Sequence, residues 1–574
     1  LVDLLIERLG ASVDDRDDQG FTALHYAARD NRIPIVCLLM DKMADLNADC
    51  DRQITPLHCA AAYGHEAVIN LLVDRGARID AHGKHGFTAL HVAAMTGQTG
   101  AVRTLVVRGA CIDSPDVDHG GSPLHYAAQK GLGEAVALLL DLGANIEAED
   151  RHGMTPLYSA ALAGQAESAR ILISHGADTN NRFEDCAPLH AAAMNGHVDI
   201  VRLLLDSGIA VEDRGSRDRT ALHHAAGGGH LDLVCFLIAR GADIKARDHS
   251  HATPLHQAAA QDKDNVISAL LERGASTDDQ DDTGTTALHY AARTGAYRSA
   301  CALLDHHALL NVHDNFQLEP IHHAILMGHA DIVKLFLDRG ADLDNRGAPS
   351  DPSNLHHAAW AGRLEIIRLL LSRGAQIYTE GGRDATPLHS AVTNDQEAAL
   401  RLLLEHGGDV DRRDSDGCTL LHYAARVSHL NMVRLLLDRG ADISARSRSG
   451  RTALHVAATG DVVLQTGAEA ITIQHRKSPL LSSPFRRREI ARELIAAGAA
   501  VRARDENGDE PIHIAARHED ADIIHLLIHA GADPNTLNAK GDAPVDVVGT
   551  NPSLSSSQTR RELVYQSLHQ HDAA

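Results

Sequence analysis

Histidine is the residue that most invites a chemical reading of this chain. There are 39 in 574 residues, some adjacent, as in His223-His224, His322-His323 and His356-His357. Imidazoles at such density could ligate a metal or move protons near neutral pH. Eight cysteines, at 37, 50, 59, 111, 186, 235, 301 and 418, add possible thiolate ligands or nucleophiles. Their spacing supports neither use. The chain contains no His-Glu-x-x-His, no paired Cys/His zinc spacing, no Gly-x-Ser-x-Gly and no P-loop. Gly227-Gly228-Gly229 has no strand before it and no Lys-Ser/Thr after it, so it does not read as a phosphate cradle. The expectation is a protein that is no enzyme, with no catalytic, metal or cofactor site, whose cysteines are small buried hydrophobes in a reducing compartment.

The histidines are instead periodic. Thr-(Ala/Pro)-Leu-His starts at Thr22, Thr55, Thr88, Thr220, Thr253, Thr286, Thr386 and Thr452. Edited forms start at Ser122, Thr155, Ala187, Glu319, Ser353, Thr419, Glu510 and Ala543. Of the fifteen intervals, eleven are 33 residues, two are 34, one is 32 and one is 58. A fixed period in this range decides the architecture before any local reading does.

The elements that position the histidines follow from one period, residues 182–214. Arg182–Cys186 is polar and irregular, as in an exposed turn. Pro188 suits a first helical turn, where its missing N–H would have had no partner. Leu189, Ala192 and Ala193 then follow at helical spacing, and Gly196-His197 ends this short helix. Val198 to Asp206 is a second helix, apolar at Val198, Ile200, Val201, Leu203, Leu204 and Leu205, so neighbours must cover it on both sides. Ser207-Gly208 closes it, glycine supplying a left-handed cap.

The pattern resembles the ankyrin repeat family, in which T-P-L-H-x-A-A opens the first helix and Leu-Leu followed by Gly-Ala closes the second. The closing Gly-Ala recurs, for example at Gly76, Gly143, Gly241, Gly340 and Gly531. The resemblance implies an all-α solenoid of about sixteen repeats plus an N-terminal half-repeat, with short helices lining a concave face and turns projecting as fingers. It also implies that the fourteen motif histidines (25, 58, 91, 125, 190, 223, 256, 289, 322, 356, 389, 422, 455, 513) bond to neighbouring turn backbone and tie repeats together. Five more (65, 197, 230, 329, 429) follow the turn between helices.

Taken in order, residues 1–13 read as the latter half of a preceding repeat, which suggests N-terminal truncation, and 14–460 as repeats. Met43-Ala44 and His307-Ala308 stand where Gly-Ala is expected, so these joints either hold a left-handed residue at a cost or change their turn. The turn before Leu355 is a residue longer and carries Pro349 and Pro352, a stiffened finger. The 58-residue interval places an insertion, 461–485, inside one repeat, rich in Pro, Ser and basic residues and read as a disordered surface loop. A second helix is expected at Glu489–Ala497, and 486–542 continue the repeats. Residues 543–574 read as a degenerate capping repeat, with a weak first helix at Pro544–Val548, a Ser-rich linker and a polar final helix near 559–570.

Function must then reside in positions that vary between copies. Two runs there are large and apolar: Phe87, Met95, Met154, Leu162, Phe183 and Met194, then Phe316, Leu318, Leu326, Met327 and Trp360, the only tryptophan. Such residues concentrate in interface cores. A basic island is the third feature: Arg439–Arg504 holds twelve Lys/Arg and five Asp/Glu in a chain of net charge −23, including Arg476, Lys477, Arg486, Arg487 and Arg488. It could dock an acidic partner or respond to phosphorylation. The overall acidity argues against sequence-independent nucleic-acid binding, and apolar runs near six residues are too short to span a bilayer. The expectation is a monomeric array that binds other proteins, cytoplasmic with nuclear entry as an option. The alternative is the sensor or targeting region of a larger protein, such as an NTPase-type receptor, channel or signalling adaptor, with its effector domain upstream.

Overall fold

The computed structural model describes residues 12–51, 53–344, 352–379, 385–459, 484–550 and 558–569. Among these, regular structure is helical, with three isolated β-bridges in the turns. The chain divides into two units, Leu1–Asp282 and Thr283–Ala574. Among the described residues, the first contains eight helix pairs, from Ala23–Arg29 with Ile33–Asp41 to Pro254–Ala260 with Asp264–Glu272. The described residues of the second contain seven, from Ala287–Thr294 with Tyr297–Asp305 to Pro511–Arg517 with Ala521–His529, followed by Gln558–His569.

Each pair forms for the same local reasons. In Pro56–Ala62, Thr55 is extended at φ −95° and Pro56 occupies the first helical turn. Leu57 is 1 % exposed, and Ala60 and Ala61 are 0 % exposed. Alanines at this position let one first helix lie directly on the next, so that Ala23–Arg29 packs on Pro56–Ala62 and that on Ala89–Thr96. The second helices form the other layer. Val198–Asp206 buries Ile200, Val201 and Leu204 completely, each stabilising the stack by about 1.5–3 kcal/mol.

A left-handed residue ends each second helix. Gly76, at φ 98°, donates its N–H to Val73 at 3.0 Å while Ala77 donates to Leu72 at 2.9 Å. A Cβ on Gly76 would meet nothing within 4 Å, so the demand for glycine there is conformational and not steric. Met43 (φ 64°) and His307 (φ 65°) hold the same conformation without glycine. The turn is therefore kept at both sites, at a backbone cost of about 1 kcal/mol.

Fingers join edge to edge. Asp51 donates its N–H to Gln19 at 3.2 Å, Val117 to His85 at 3.0 Å and His249 to Arg217 at 2.8 Å in the first unit. In the second, Asn315 bonds Thr283 at 2.9 Å and Arg448 bonds Asp416 at 2.8 Å. The 58-residue interval leaves this ladder intact: Glu506 donates to Ser449 at 3.0 Å.

Two local expectations are corrected. The helix after the insertion runs Pro484–Ala496, so Pro484 and Phe485 are helical and the second helix starts earlier than Glu489. Proline opens it, and Arg487 and Arg488 are drawn to the next repeat by Asp520 (3.6 Å) and Asp522 (3.5 Å). Pro544–Val548 is a run of turns and not a helix, with the Asp546 carboxylate accepting the Ala543 N–H at 2.8 Å. The final helix, Gln558–His569, packs on Ala521–His529 through Val564 (0 % exposed) and Leu568 (3 %). The expected half-repeat at 1–11, Pro349, most of the insertion and the Ser-rich linker lie outside the described residues.

Candidate partner-binding surface

Most motif histidines bond at both ring nitrogens. The backbone N–H of Thr22 donates to His25 Nδ1 at 3.1 Å, and the Thr22 hydroxyl lies 2.9 Å from the same nitrogen. An acceptor at Nδ1 leaves the proton on Nε2, which donates to the Ile54 carbonyl of the next finger at 2.8 Å. The arrangement recurs at His58 to Phe87 (2.9 Å), His125 to Met154 (2.9 Å), His223 to Ala252 (3.1 Å), His356 to Ala385 (2.8 Å) and His422 to Arg451 (2.9 Å). Burial pushes His91, His223 and His455 down to about 4, so they stand neutral at pH 7. With both nitrogens engaged, these rings are structural; His322 and His389 depart from the expected pattern, their buried Nε2 atoms having no hydrogen-bond partner among the described residues. Among the described residues, no three His, Cys, Asp or Glu side chains group as a metal site.

A second set of donors points the other way along each stack. His65 Nε2 donates to the Arg29 carbonyl at 2.8 Å, and His230 to Met194 at 2.9 Å. Arg363, at the histidine position, reaches the Leu326 carbonyl through Nε at 3.0 Å; in the following repeat Asn394, two residues before that position, donates Nδ2 to the Trp360 carbonyl at 2.7 Å. These bonds satisfy carbonyls at the ends of the first helices that helix geometry leaves open.

Sequence reasoning missed a row of aspartates at the finger bases. Asp116 Oδ1 accepts the N–H of Asp118 (2.8 Å) and His119 (2.7 Å), while Oδ2 accepts the Tyr126 hydroxyl at 2.8 Å. Asp414 does the same with Asp416 (2.9 Å) and the Tyr423 hydroxyl (2.8 Å), and Asp314 with Phe316 (2.8 Å) and His323 Nε2 (2.8 Å). The signal was legible: Asp-x-x-Gly-x-Thr recurs at Asp17, Asp150 and Asp414, an Asx-turn composition.

The variable apolar residues separate into two classes. Those in fingers face inward. Phe87 sets its ring edge-on to Tyr126 at 5.0 Å, and Phe183 sets its ring edge-on to Tyr158 at 5.5 Å. Met154 is half-buried, and its carbonyl receives His125. Leu318 is only 6 % exposed, closed under its own finger, where its N–H bonds Asp314 at 2.9 Å. Phe316 is the outward finger residue, 48 % exposed. Those at the end of the first helix lie seven or eight residues after a motif start. Met194 (49 %), Met327 (47 %) and Leu162 (37 %) are exposed, while Met95, Leu326 and Trp360 are half-buried. Tyr63, 57 % exposed at the same offset, belongs with them and was not singled out. They occupy the ends of the first helices, and the backward bonds hold the carbonyls of Leu162, Met194, Leu326 and Trp360.

Of the basic residues, Arg476 and Lys477 lie outside the described residues. Arg487 spans Asp520 and the Thr459 carbonyl (3.3 Å), and Arg488 pairs with Asp522, so both hold repeats together. Arg486 is exposed beside Phe485 (70 % exposed), at the rim of an open recess of about 340 Å³ shared with Asp395, His429 and Leu430.

Known proteins match this construction. The family model described as Ankyrin repeats (3 copies) matches residues 43–116, 112–183, 177–248, 246–314, 301–381 and 378–447. Models described as Ankyrin repeats (many copies) match 5–60 and 485–528. The chain is 40 % identical over 60 residues to protein phosphatase 1 regulatory subunit 27 of Mus musculus, which is 10 % of this chain and 39 % of that protein. It is 30 % identical over 104 residues to ankyrin repeat and SOCS box protein 11 of Homo sapiens, 17 % and 31 % of the two chains. The chain thus spans well under half the length of these relatives. Among solved structures, the human ASB11 ankyrin repeat domain aligns over 39 % of this chain and 99 % of its own, at 29 % identity and a TM-score of 0.36. No helix among the described residues is long and apolar enough to cross a membrane. Helix pairs, fingers, histidine bonds and family matches over most of the chain agree: this chain belongs to the ankyrin repeat family, whose arrays serve as protein–protein interaction modules.

Proposed function

We propose that this array is a non-catalytic scaffold that binds other proteins through the ridges at the ends of its first helices. In the first unit the ridge comprises Tyr63, Met95, Leu162 and Met194. In the second it comprises Leu326, Met327 and Trp360, with Phe316 beside them on its finger. One observation carries the reading: at the two positions that end the first helices, Tyr63, Leu162, Met194 and Met327 remain exposed and Met95, Leu326 and Trp360 half-buried, with neighbouring carbonyls bonded by the following repeat. Rigid apolar anchors bind without a large ordering cost. The net charge of −23 disfavours nucleic acid as the partner.

The test is site-specific photocrosslinking in cells. A photoreactive residue at Met194 or Met327 is expected to capture a common set of proteins. The same residue at Arg75 or Arg339, on the ion-paired ends of the second helices, is expected to capture few. Equal capture at both positions refutes the ridge.

A second reading, the recognition part of a larger regulatory protein, is supported by the relatives: matched segments make up 39 % or less of them, and one is called a regulatory subunit. Sequencing the full-length transcript tests it, and an open reading frame ending at these residues refutes it.

A further inference from the structure

The geometry points to a two-histidine binding site for a divalent copper or nickel ion, formed by His525 and His529. Both belong to the nine-residue helix Ala521–His529, and both are exposed. Four residues apart, they share one helix face. Their Nε2 atoms lie 3.0 Å apart, with ring centroids 4.3 Å apart and planes at 82°. At that distance one nitrogen donates its proton to the other, and small rotations of the two exposed rings turn both nitrogens onto one ion. A cation replaces that proton and draws one lone pair from each ring.

The separation favours cis coordination. With metal–nitrogen bonds of about 2.05 Å, nitrogens 3.0 Å apart subtend about 94° at the ion. That is the cis angle of square-planar and octahedral ions, whereas a tetrahedral site needs the nitrogens about 3.3 Å apart. Imidazole donors in tetragonal geometry mark Cu²⁺ or Ni²⁺, with copper the tighter. The remaining positions face solvent and take water, or a donor brought by another molecule.

The helix holds this pair still. Its other face buries Ile523, Ile524, Leu527 and Ile528, and the Asp520 carboxylate caps its start by accepting the Ile523 N–H at 3.2 Å. Gln558–His569 packs against it. His529 is the last helical residue, where the negative end of the helix dipole favours a cation.

The full chain titrated with CuSO₄ tests the site. Copper EPR is expected to show coupling to two nitrogens at one equivalent, with calorimetry giving one tight site. His525→Ala should weaken it about a hundredfold by removing the chelate, and His525→Ala/His529→Ala should abolish it with the helical circular dichroism unchanged. The exposed-histidine control His175→Ala should bind as the parent does. A tight site that persists in the double variant, coupling to one nitrogen, or Zn²⁺ bound more tightly than Cu²⁺ would overturn the assignment.

Discussion

Acid should loosen this protein well above the pH at which carboxylates titrate, because of the motif histidines. Burial lowers His91 and His223 from an ordinary 6.5 to about 4. The nearby carboxylates, Asp116 for His91 and Asp248 for His223, raise them only in part. A depressed folded value means that the unfolded chain takes up the proton first. The stability these groups contribute is complete above 6.5 and is lost as the pH falls from 6.5 towards 4. Linkage gives a loss of about 0.2 kcal/mol per histidine at pH 7 and about 2 kcal/mol at pH 5. His91 and His223 share the first unit, so together they withdraw about 3.5 kcal/mol over that range, against a typical domain stability of about 5–15 kcal/mol. Urea unfolding followed by circular dichroism at pH 7.5, 6.5, 5.5 and 5.0, in moderate salt to screen the net charge, should show the midpoint falling by roughly 1 M. In His91→Gln/His223→Gln the amide can still donate but cannot titrate, so the pH dependence should flatten. A midpoint that holds or rises between pH 6.5 and 5.0, or a double variant with the parent's slope, would refute the assignment of these rings as neutral donors.

Gly76→Ala should cost about 1 kcal/mol through its positive φ alone, and His307→Gly should raise the urea midpoint by a similar free energy. Arg487→Ala leaves Asp520, which burial already pushes up, without its cation and the Thr459 carbonyl without a donor. The loss should be about 1–3 kcal/mol in thermal unfolding. Arg434→Ala, at an exposed pair with Glu493, should leave the thermal midpoint unchanged. Trp360, half-buried and the only tryptophan, should be partly protected from acrylamide when free and further protected once partner is bound. Unchanged quenching on binding would remove it from the interface.

How much of this was legible in sequence depended on the distance over which each residue is decided. Thr22 and His25 are three apart, and the cap they form is local, so the period of such pairs located every first helix in the first unit. Phe87 and Met194 look alike in sequence, both apolar at variable positions. Phe87 turns inward because Tyr126, one repeat later, offers its ring, whereas Met194 stays 49 % exposed. That contact is not written in the spacing around Phe87. Likewise Pro484 and Phe485 read as the end of the inserted loop, yet Asp520 and Asp522 in the next repeat hold Arg487 and Arg488, and the helix extends back over them. Pro544–Val548 failed in the opposite direction: its valines suggest a helix, but the Asp546 carboxylate favours turns.

The bonds that bridge the long interval have a practical consequence. His455 reaches the Asp509 carbonyl at 3.1 Å across 54 residues of chain, within the range its counterparts span across 29, such as His25 at 2.8 Å and His289 at 3.2 Å. The stacking machinery is indifferent to how much polypeptide passes between those two points. The turn after Ala457 is thus a graft port, where a fluorescent reporter or an affinity module can be spliced in while the repeats on either side keep their grip on each other.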